Sequence, residues 1–313
     1  MTSTKSKLPN LVIAGVVKGG TTSLYTYLAQ HPDICPSSVK ETCYFSSFRY
    51  GQLDARYRQA LAPFEQYQSY FIHCQDQKYR MEATPGYFEG GMRVAKEIKT
   101  TLGDEAKILI ILREPISRFL SFFKYKKSIL SLDKNLTIEE YIKQCEAIPE
   151  QERVQQENDT YWGLDGGFYA NYLDEWFTSF GKSLKVIFFD DLKNDSKQLL
   201  KEICHWLEID WEGWDLPDLK AENKSVNYKS QFLQRLALLV NDSAEKFWRA
   251  NPKLKIQLRE IYYLINGMAH TDELKPETLE YLISLYKPYN QKLAEQLIAR
   301  DYSVFPQWLQ HGS

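Results

Sequence analysis

Leu11-Val12-Ile13-Ala14-Gly15-Val16-Val17-Lys18-Gly19-Gly20-Thr21-Thr22-Ser23 is the stretch on which the fold turns. Its first four residues form an unbroken apolar run, the pattern of a strand buried on both faces. Gly15 to Gly20 read as a turn. Thr21 to Gln30 then carries Leu24, Tyr27 and Leu28, which predicts a helix packed on a sheet, ended by His31-Pro32-Asp33. Strand, glycine turn and helix in this order make an anion cradle. Paired glycines let backbone approach an anion, and the first amides of the helix point at it. Lys18 adds a full positive charge, and Thr21, Thr22 and Ser23 add hydroxyls. A purely structural glycine turn is the alternative, but the lysine and hydroxyls in this context favour anion binding.

Working outward, Lys107 to Leu112 reads as a second buried strand, followed by Arg113 and a helix from Pro115 through about Lys127. Val186 to Phe189 is a third apolar strand. Strands alternating with helices predict an α/β fold with a parallel sheet covered on both faces. The chain beyond Leu192 looks mostly helical. Residues 131–165 differ, with nine acids, three bases and the ending Trp162-Gly163-Leu164-Asp165-Gly166-Gly167. Two readings stand for this stretch: a mobile lid on glycine hinges, or a helical insertion with a charged outer face. The distinctive segments are spread along the chain, which predicts a single domain over 1–313.

Composition narrows the classes. The chain has 313 residues, of which 43% are hydrophobic and 26% charged, which fits a folded globular protein. A formal net charge of -2 excludes a surface built wholly to coat a polyanion such as nucleic acid. No apolar run approaches a membrane span, and Met1 to Lys7 lacks the apolar core of a signal peptide, so a cytoplasmic location is expected. The five cysteines are odd in number and lack any Cys-x-x-Cys, and the five histidines are scattered. That pattern argues against a disulfide framework and a zinc site, and predicts reduced, buried thiols.

The lysine position separates this loop from a Walker A loop, where lysine follows the second glycine and a hydroxyl residue follows the lysine. Here Lys18 precedes the glycine pair. The spacing resembles the 5′-phosphosulfate loop of sulfotransferases that use 3′-phosphoadenosine 5′-phosphosulfate (PAPS). Arg113-Glu114-Pro115-Ile116-Ser117-Arg118, with Ser121 eight residues after Arg113, is similar to the 3′-phosphate motif of that family. His31-Pro32-Asp33, Lys40 to Phe45, Glu82 to Phe88, Gly167-Phe168-Tyr169 and Lys287-Pro288-Tyr289-Asn290 resemble segments of the heparan-type carbohydrate sulfotransferases. One departure stands out. Many relatives carry Glu-Lys-x-Pro where this chain has Glu82-Ala83-Thr84-Pro85, so an active-site lysine is absent.

The resemblance implies a P-loop-like central parallel sheet flanked by helices, and a PAPS-dependent enzyme that moves a sulfuryl group to a hydroxyl without a metal. It assigns the nucleotide to Lys18, Gly19, Gly20, Thr21, Thr22, Ser23, Arg113 and Ser121. Asn223-Lys224-Ser225 resembles the late loop that closes over the nucleotide, which adds Lys224. Lys18 would stabilise the charge that builds on the leaving oxygen. Glu41 would be the general base, with Glu82 behind it or behind Lys18. His270 is a further candidate for proton transfer, against a structural role. Trp162 and Phe168 are candidates for the acceptor pocket, against ordinary core packing.

For the acceptor, a further resemblance to sulfotransferase domains of cyanobacterial polyketide and olefin synthases, as in curacin biosynthesis, favours the β-hydroxyl of an acyl chain on an acyl carrier protein. Lys124, Lys126 and Lys127 would then be a basic docking face for that acidic partner. A carbohydrate or small-molecule hydroxyl is the alternative. Outside the family, the rivals are a P-loop kinase or NTPase, since Val186 to Asp191 mimics a Walker B strand, and a non-catalytic nucleotide- or carrier-binding module.

Overall fold

A computed structural model describes residues 8–46, 63–153, 156–212, 214, 227–244, 247–248, 251–268 and 272–310. Five parallel strands form the central sheet: β1 (Leu11–Gly15), β2 (Ile34–Pro36), β3 (Tyr79–Ala83), β4 (Lys107–Leu112) and β5 (Leu184–Phe188), in the order β2-β3-β1-β4-β5. The three strands expected from apolar runs are β1, β4 and β5. β1 lies in the middle, with Val12 beside Glu82 on β3 and Ile108 on β4. The chain leaves β1 toward β2 and leaves β4 toward β5, in opposite directions. The gap between the carboxyl ends of β1 and β4 is therefore the topological switch point, where open α/β sheets bind ligands.

Side-chain alternation along the strands explains why both faces are covered. Val12, Ala14, Ile108, Ile110 and Val186 pack with Val94 and Ile98 of α3 (Gly91–Leu102) and Trp176 of α7 (Leu173–Phe180). Their neighbours Leu11, Ile13, Leu109, Ile111 and Ile187 pack with Leu24 and Leu28 of α1 (Thr21–Leu28) and Ile203 and Leu207 of α9 (Ser196–Leu207). Each such aliphatic side chain contributes roughly 1.5–3 kcal/mol when fully buried. Every residue of β1 is buried, which makes the strand a fixed base for the loop that follows.

A third core joins α4 (Pro115–Ser128), α5 (Ile138–Ala147) and α12 (Pro276–Ile298) through Phe119, Phe123, Tyr141, Leu282 and Tyr286. Within 131–165, Thr137 and Glu140 form a reciprocal capping box at the start of α5. The glycines at its end sit against other side chains. A Cβ on Gly166 would fall 2.5 Å from Arg118 Nη1, and one on Gly167 2.6 Å from Tyr286 Cε1.

Two expectations are corrected. Cys35 and Cys74 form a disulfide, while Cys43, Cys145 and Cys204 are buried outside any disulfide. The bridge ties β2 to the turn after α2 (Phe64–Ser69), so cysteine usage lends no support to a cytoplasmic placement. The basic docking face also does not exist as such. Lys126 and Lys127 are buried, paired with Asp159 at 3.0 Å and Asp272 at 2.7 Å. Only Lys124 of that trio is partly exposed. Among the described residues, no helix is long and apolar enough to cross a membrane.

Candidate active site

The loop from Gly15 to Gly20 leaves β1 at the switch point. Val16 N donates to Ile111 O at 3.1 Å, which anchors the loop to β4. Lys18 and Gly20 adopt left-handed backbone, with φ of 64° and 102°. At Gly20 a Cβ would also lie 2.6 Å from the Phe189 ring, so only glycine fits there. Gly20 is the N-cap of α1, so the helix's first amides open onto this loop. Thr21, Thr22 and Ser23 occupy the first turn of that helix.

Arg113 arrives from the end of β4. Glu114 caps α4 by accepting from Ile116 N and Ser117 N, and Pro115 takes the first helical position. Tyr169 Oη donates to Arg113 O at 2.7 Å, so the Arg113 backbone is held from both sides. Its guanidinium packs over the Phe189 ring at 4.6 Å and donates from Nη1 to Lys18 O at 3.3 Å. Its Nε is buried with no hydrogen-bond partner among the described residues. Ser121 lies on α4 four residues before Tyr125, on the same face. Lys18 Nζ sits 4.6 Å from the Tyr125 ring centre. The face of α4 that carries Ser121 therefore looks toward the loop.

Glu41 approaches from the other side of β1. Its backbone is also left-handed, φ 62°, and its N donates to Ala83 O at 2.9 Å. Lys40 Nζ donates to Glu41 Oε1 at 2.8 Å. The electrostatics join these pieces. Burial first, then the Arg113 charge, pushes Lys18 down to about 8, with Lys40 and Arg118 acting in the same direction and Glu41 opposing. Burial likewise lowers Arg113. Lys18, Lys40, Arg113 and Arg118 thus gather near one another, with Glu41 acting on Lys18 and Glu114 and Asp190 acting on Arg113. Six non-glycine residues among those described have left-handed backbone, and three of them are Lys18, Glu41 and Cys43. Such strain concentrates where geometry serves a ligand.

Glu82 stands behind Glu41. It is fully buried on β3, accepts from Tyr67 Oη at 3.0 Å and from Thr42 Oγ1, and burial raises it to about 7. Its hydrogen bond to the Thr42 hydroxyl holds the immediate neighbour of Glu41. Ala83 is buried in β3 beside Ile13, so no charged side chain enters the site from this position. The cation beside Glu41 is Lys40.

Two contributors were not legible as site residues. Arg118, from the same motif as Arg113, is buried and reaches Val17 O at 3.5 Å and Gly163 O, bracing the loop against the 131–165 segment. Tyr125 forms the floor under Lys18. Their sequence signal was the helical repeat from Arg118 through Ser121 to Tyr125, which places all three near one helix face. His270 and Lys224 lie outside the described residues. Asp190, the Walker B mimic, accepts from Trp308 Nε1 at 3.2 Å.

A lysine-bearing glycine loop facing a strand-end arginine at the switch point of a parallel sheet makes this an α/β protein with an anion-binding type of strand-end site. The chain belongs to the sulfotransferase domain family, whose profile matches residues 8–251. It is 36% identical over 132 residues to the membrane-associated sulfotransferase kil1 of Dictyostelium discoideum, covering 42% of this chain and 26% of that protein. It is 28% identical over 278 residues to the bifunctional heparan sulfate N-deacetylase/N-sulfotransferase 1 of Caenorhabditis elegans, covering 84% of this chain and 29% of that one. The chain therefore spans under a third of the length of either relative. Among solved structures, a sulfotransferase from Alicyclobacillus acidocaldarius superposes with a TM-score of 0.58 at 26% identity, covering 75% of this chain and 93% of that one.

Proposed function

We propose that this chain is a PAPS-dependent sulfotransferase acting on an acceptor hydroxyl. The carrying observation is the convergence of Lys18, Arg113 and Glu41 at one strand-end crevice. The residues fit a nucleotide with anionic groups at both ends. Mutual repulsion among Lys18, Arg113 and Arg118 would be relieved by an anion, and the buried Arg113 Nε is a donor in search of an acceptor. The loop amides, Lys18 and the hydroxyls of Thr21, Thr22 and Ser23 would hold the 5′ end. Arg113 and Ser121 would hold the 3′-phosphate, and Lys224 would close over the nucleotide. When bound, PAPS supplies the transferable sulfuryl group.

The chain's own residues do the rest. Lys18, a preorganised donor in a water-poor site, offsets charge on the oxygen that departs, an effect worth roughly 3 kcal/mol for one donor. Glu41 takes the proton from the acceptor hydroxyl at its carboxylate, which contributes on the order of a hundredfold or more. Glu82 orients this base through Thr42. His270 is a second proton-transfer candidate. No step in this scheme calls for a metal, since lysine and arginine supply the positive charge.

For the acceptor, a sugar hydroxyl is supported by relatives named for heparan sulfate, including the human 3-O-sulfotransferase 3B1, 28% identical over 179 residues. The carrier-bound acyl reading loses its basic docking face, because Lys126 and Lys127 are buried in ion pairs. The experiment is mass spectrometry of products formed from PAPS with sugar, phenolic and carrier-bound β-hydroxyacyl acceptors, beside thermal shifts with adenosine 3′,5′-bisphosphate and with ATP–magnesium. Sulfated sugar and stabilisation by the bisphosphate are expected, with transfer abolished in Lys18→Ala. Stabilisation by ATP–magnesium alone would instead assign a kinase.

A further inference from the structure

Helices α10 (Gln231–Ser243) and α11 (Pro252–Asn266) rise from a short antiparallel pair, β6 (Asn227–Tyr228) with β7 (Gly267–Met268). Their amphipathic pattern faces the wrong way for a globular protein. The polar groups are inside. Gln234 Nε2 donates to Ser128 O at 2.6 Å at the end of α4, and Tyr262 Oη donates to Gln234. Asn266 Nδ2 donates to Tyr262 Oη at 2.6 Å and to Ser230 O at 3.1 Å, and Asn266 Oδ1 accepts from Ser230 N at 2.8 Å.

The apolar stripes point to solvent. On α10 they are Phe232, Leu236, Leu239 and Val240, and on α11 Leu254, Leu258, Ile261 and Ile265, each set at the three- and four-residue spacing of one helix face. Phe232 is 74% exposed, Leu239 64% and Ile265 63%, with Leu264 beside them at 81%. Scattered exposed leucines need no explanation, but two adjacent helices with matched exposed stripes do.

Charge decides what covers them. Among the described side chains of residues 229–268 there are four bases, Lys229, Arg235, Lys255 and Arg259, against one acid, Glu260, in a chain of net charge -2. Two copies meeting symmetrically through this patch would bring like charge to like charge. An acidic surface with an apolar interior satisfies both features, as it does for interfacial amphipathic helices. We propose that α10 and α11 dock the enzyme on an anionic lipid surface, with the stripes inserted at the acyl boundary and bases such as Lys229 and Arg235 against the headgroups. This inference does not rest on the acceptor assignment.

The test is co-sedimentation of the full chain with vesicles of phosphatidylcholine alone and of phosphatidylcholine mixed with phosphatidylglycerol. The wild type should partition to the mixed vesicles, more weakly to the neutral ones, and less at high salt. The variant F232S/L239S/I265S should lose at least about tenfold in partitioning, since three inserted side chains are removed. K229E/R235E, at exposed positions where folding is not at risk, should abolish the preference for anionic vesicles. Thermal melting checks that both variants fold. Three results overturn the proposal: no partitioning of the wild type, unchanged partitioning of either variant, or wild-type dimers in vesicle-free solution that F232S/L239S/I265S dissolves. The last would assign the face to a second copy.

Discussion

The Arg113 guanidinium donates to the carbonyl oxygen of Lys18 at 3.3 Å, so the arginine at the end of β4 clamps the backbone of the lysine whose side-chain charge it destabilises. The pair is poised for an anion. Lys18 titrates near 8, so it is charged below that pH and loses its proton as pH rises through it. In the free enzyme kcat/KM should therefore fall above about pH 8. Lys18→Arg keeps the charge at all accessible pH and should remove this alkaline limb while lowering the plateau. An unchanged limb in Lys18→Arg would assign it to another group.

Glu82 gives the second prediction. Its carboxyl is raised in the folded state to about 7 by burial, against a usual 4.5. A raised folded value means the contribution to stability is complete below about 4.5 and is lost as pH climbs through about 7. The loss is on the order of 3 kcal/mol, at roughly 1.4 kcal/mol per pH unit of displacement. Glu82→Gln does not titrate. Urea unfolding from pH 5 to 8 should show the wild type falling relative to Glu82→Gln, and parallel curves would contradict this.

The Gly15–Gly20 loop was legible because its signals are local: an apolar strand, two glycines and a lysine within ten residues. β1 and β4 declared themselves as aliphatic runs and β5 as the apolar stretch from Val186, although Phe189 opens the next helix and the strand reaches back past Lys185 to Leu184. β2 has only three residues, and β3 mixes Arg80 and Glu82 with apolar neighbours, so neither shows a run. Glu82 is tolerated in a buried strand only because Tyr67 and Thr42, distant in sequence, bond it. Long-range pairing also hid the Cys35–Cys74 bridge and the partners of Lys126 and Lys127. A run of bases reads as a solvated face until the acids that fold onto it are known.

The disulfide closes a loop across 39 residues that includes α2 and its Tyr67, the donor to Glu82. Constraining the unfolded chain this way stabilises by up to about 4 kcal/mol. Cys74→Ser should lower the unfolding free energy by about 2–4 kcal/mol, read in urea without reductant. Adding dithiothreitol should bring the wild type to the same value and leave Cys74→Ser unmoved. A variant as stable as the wild type under oxidising conditions would show that the bridge does not form in solution.

Lys126 and Asp159 form a buried pair at 3.0 Å, with side chains only 5% and 6% exposed. Lys126 follows Tyr125, the floor under Lys18, so the pair fixes α4 where the site needs it. Burial lowers the lysine and Asp159 opposes that shift. Taking away one partner strands a charge, which costs about 3–5 kcal/mol, whereas replacing both with apolar groups is often near neutral. Asp159→Ala should therefore destabilise strongly, and Lys126→Met added to Asp159→Ala should recover most of the loss. The double variant should also restore binding of adenosine 3′,5′-bisphosphate if α4 returns to its place. A single variant that unfolds at the wild-type urea midpoint would mean the two charges are hydrated and the helix is held by Phe119 and Phe123 alone.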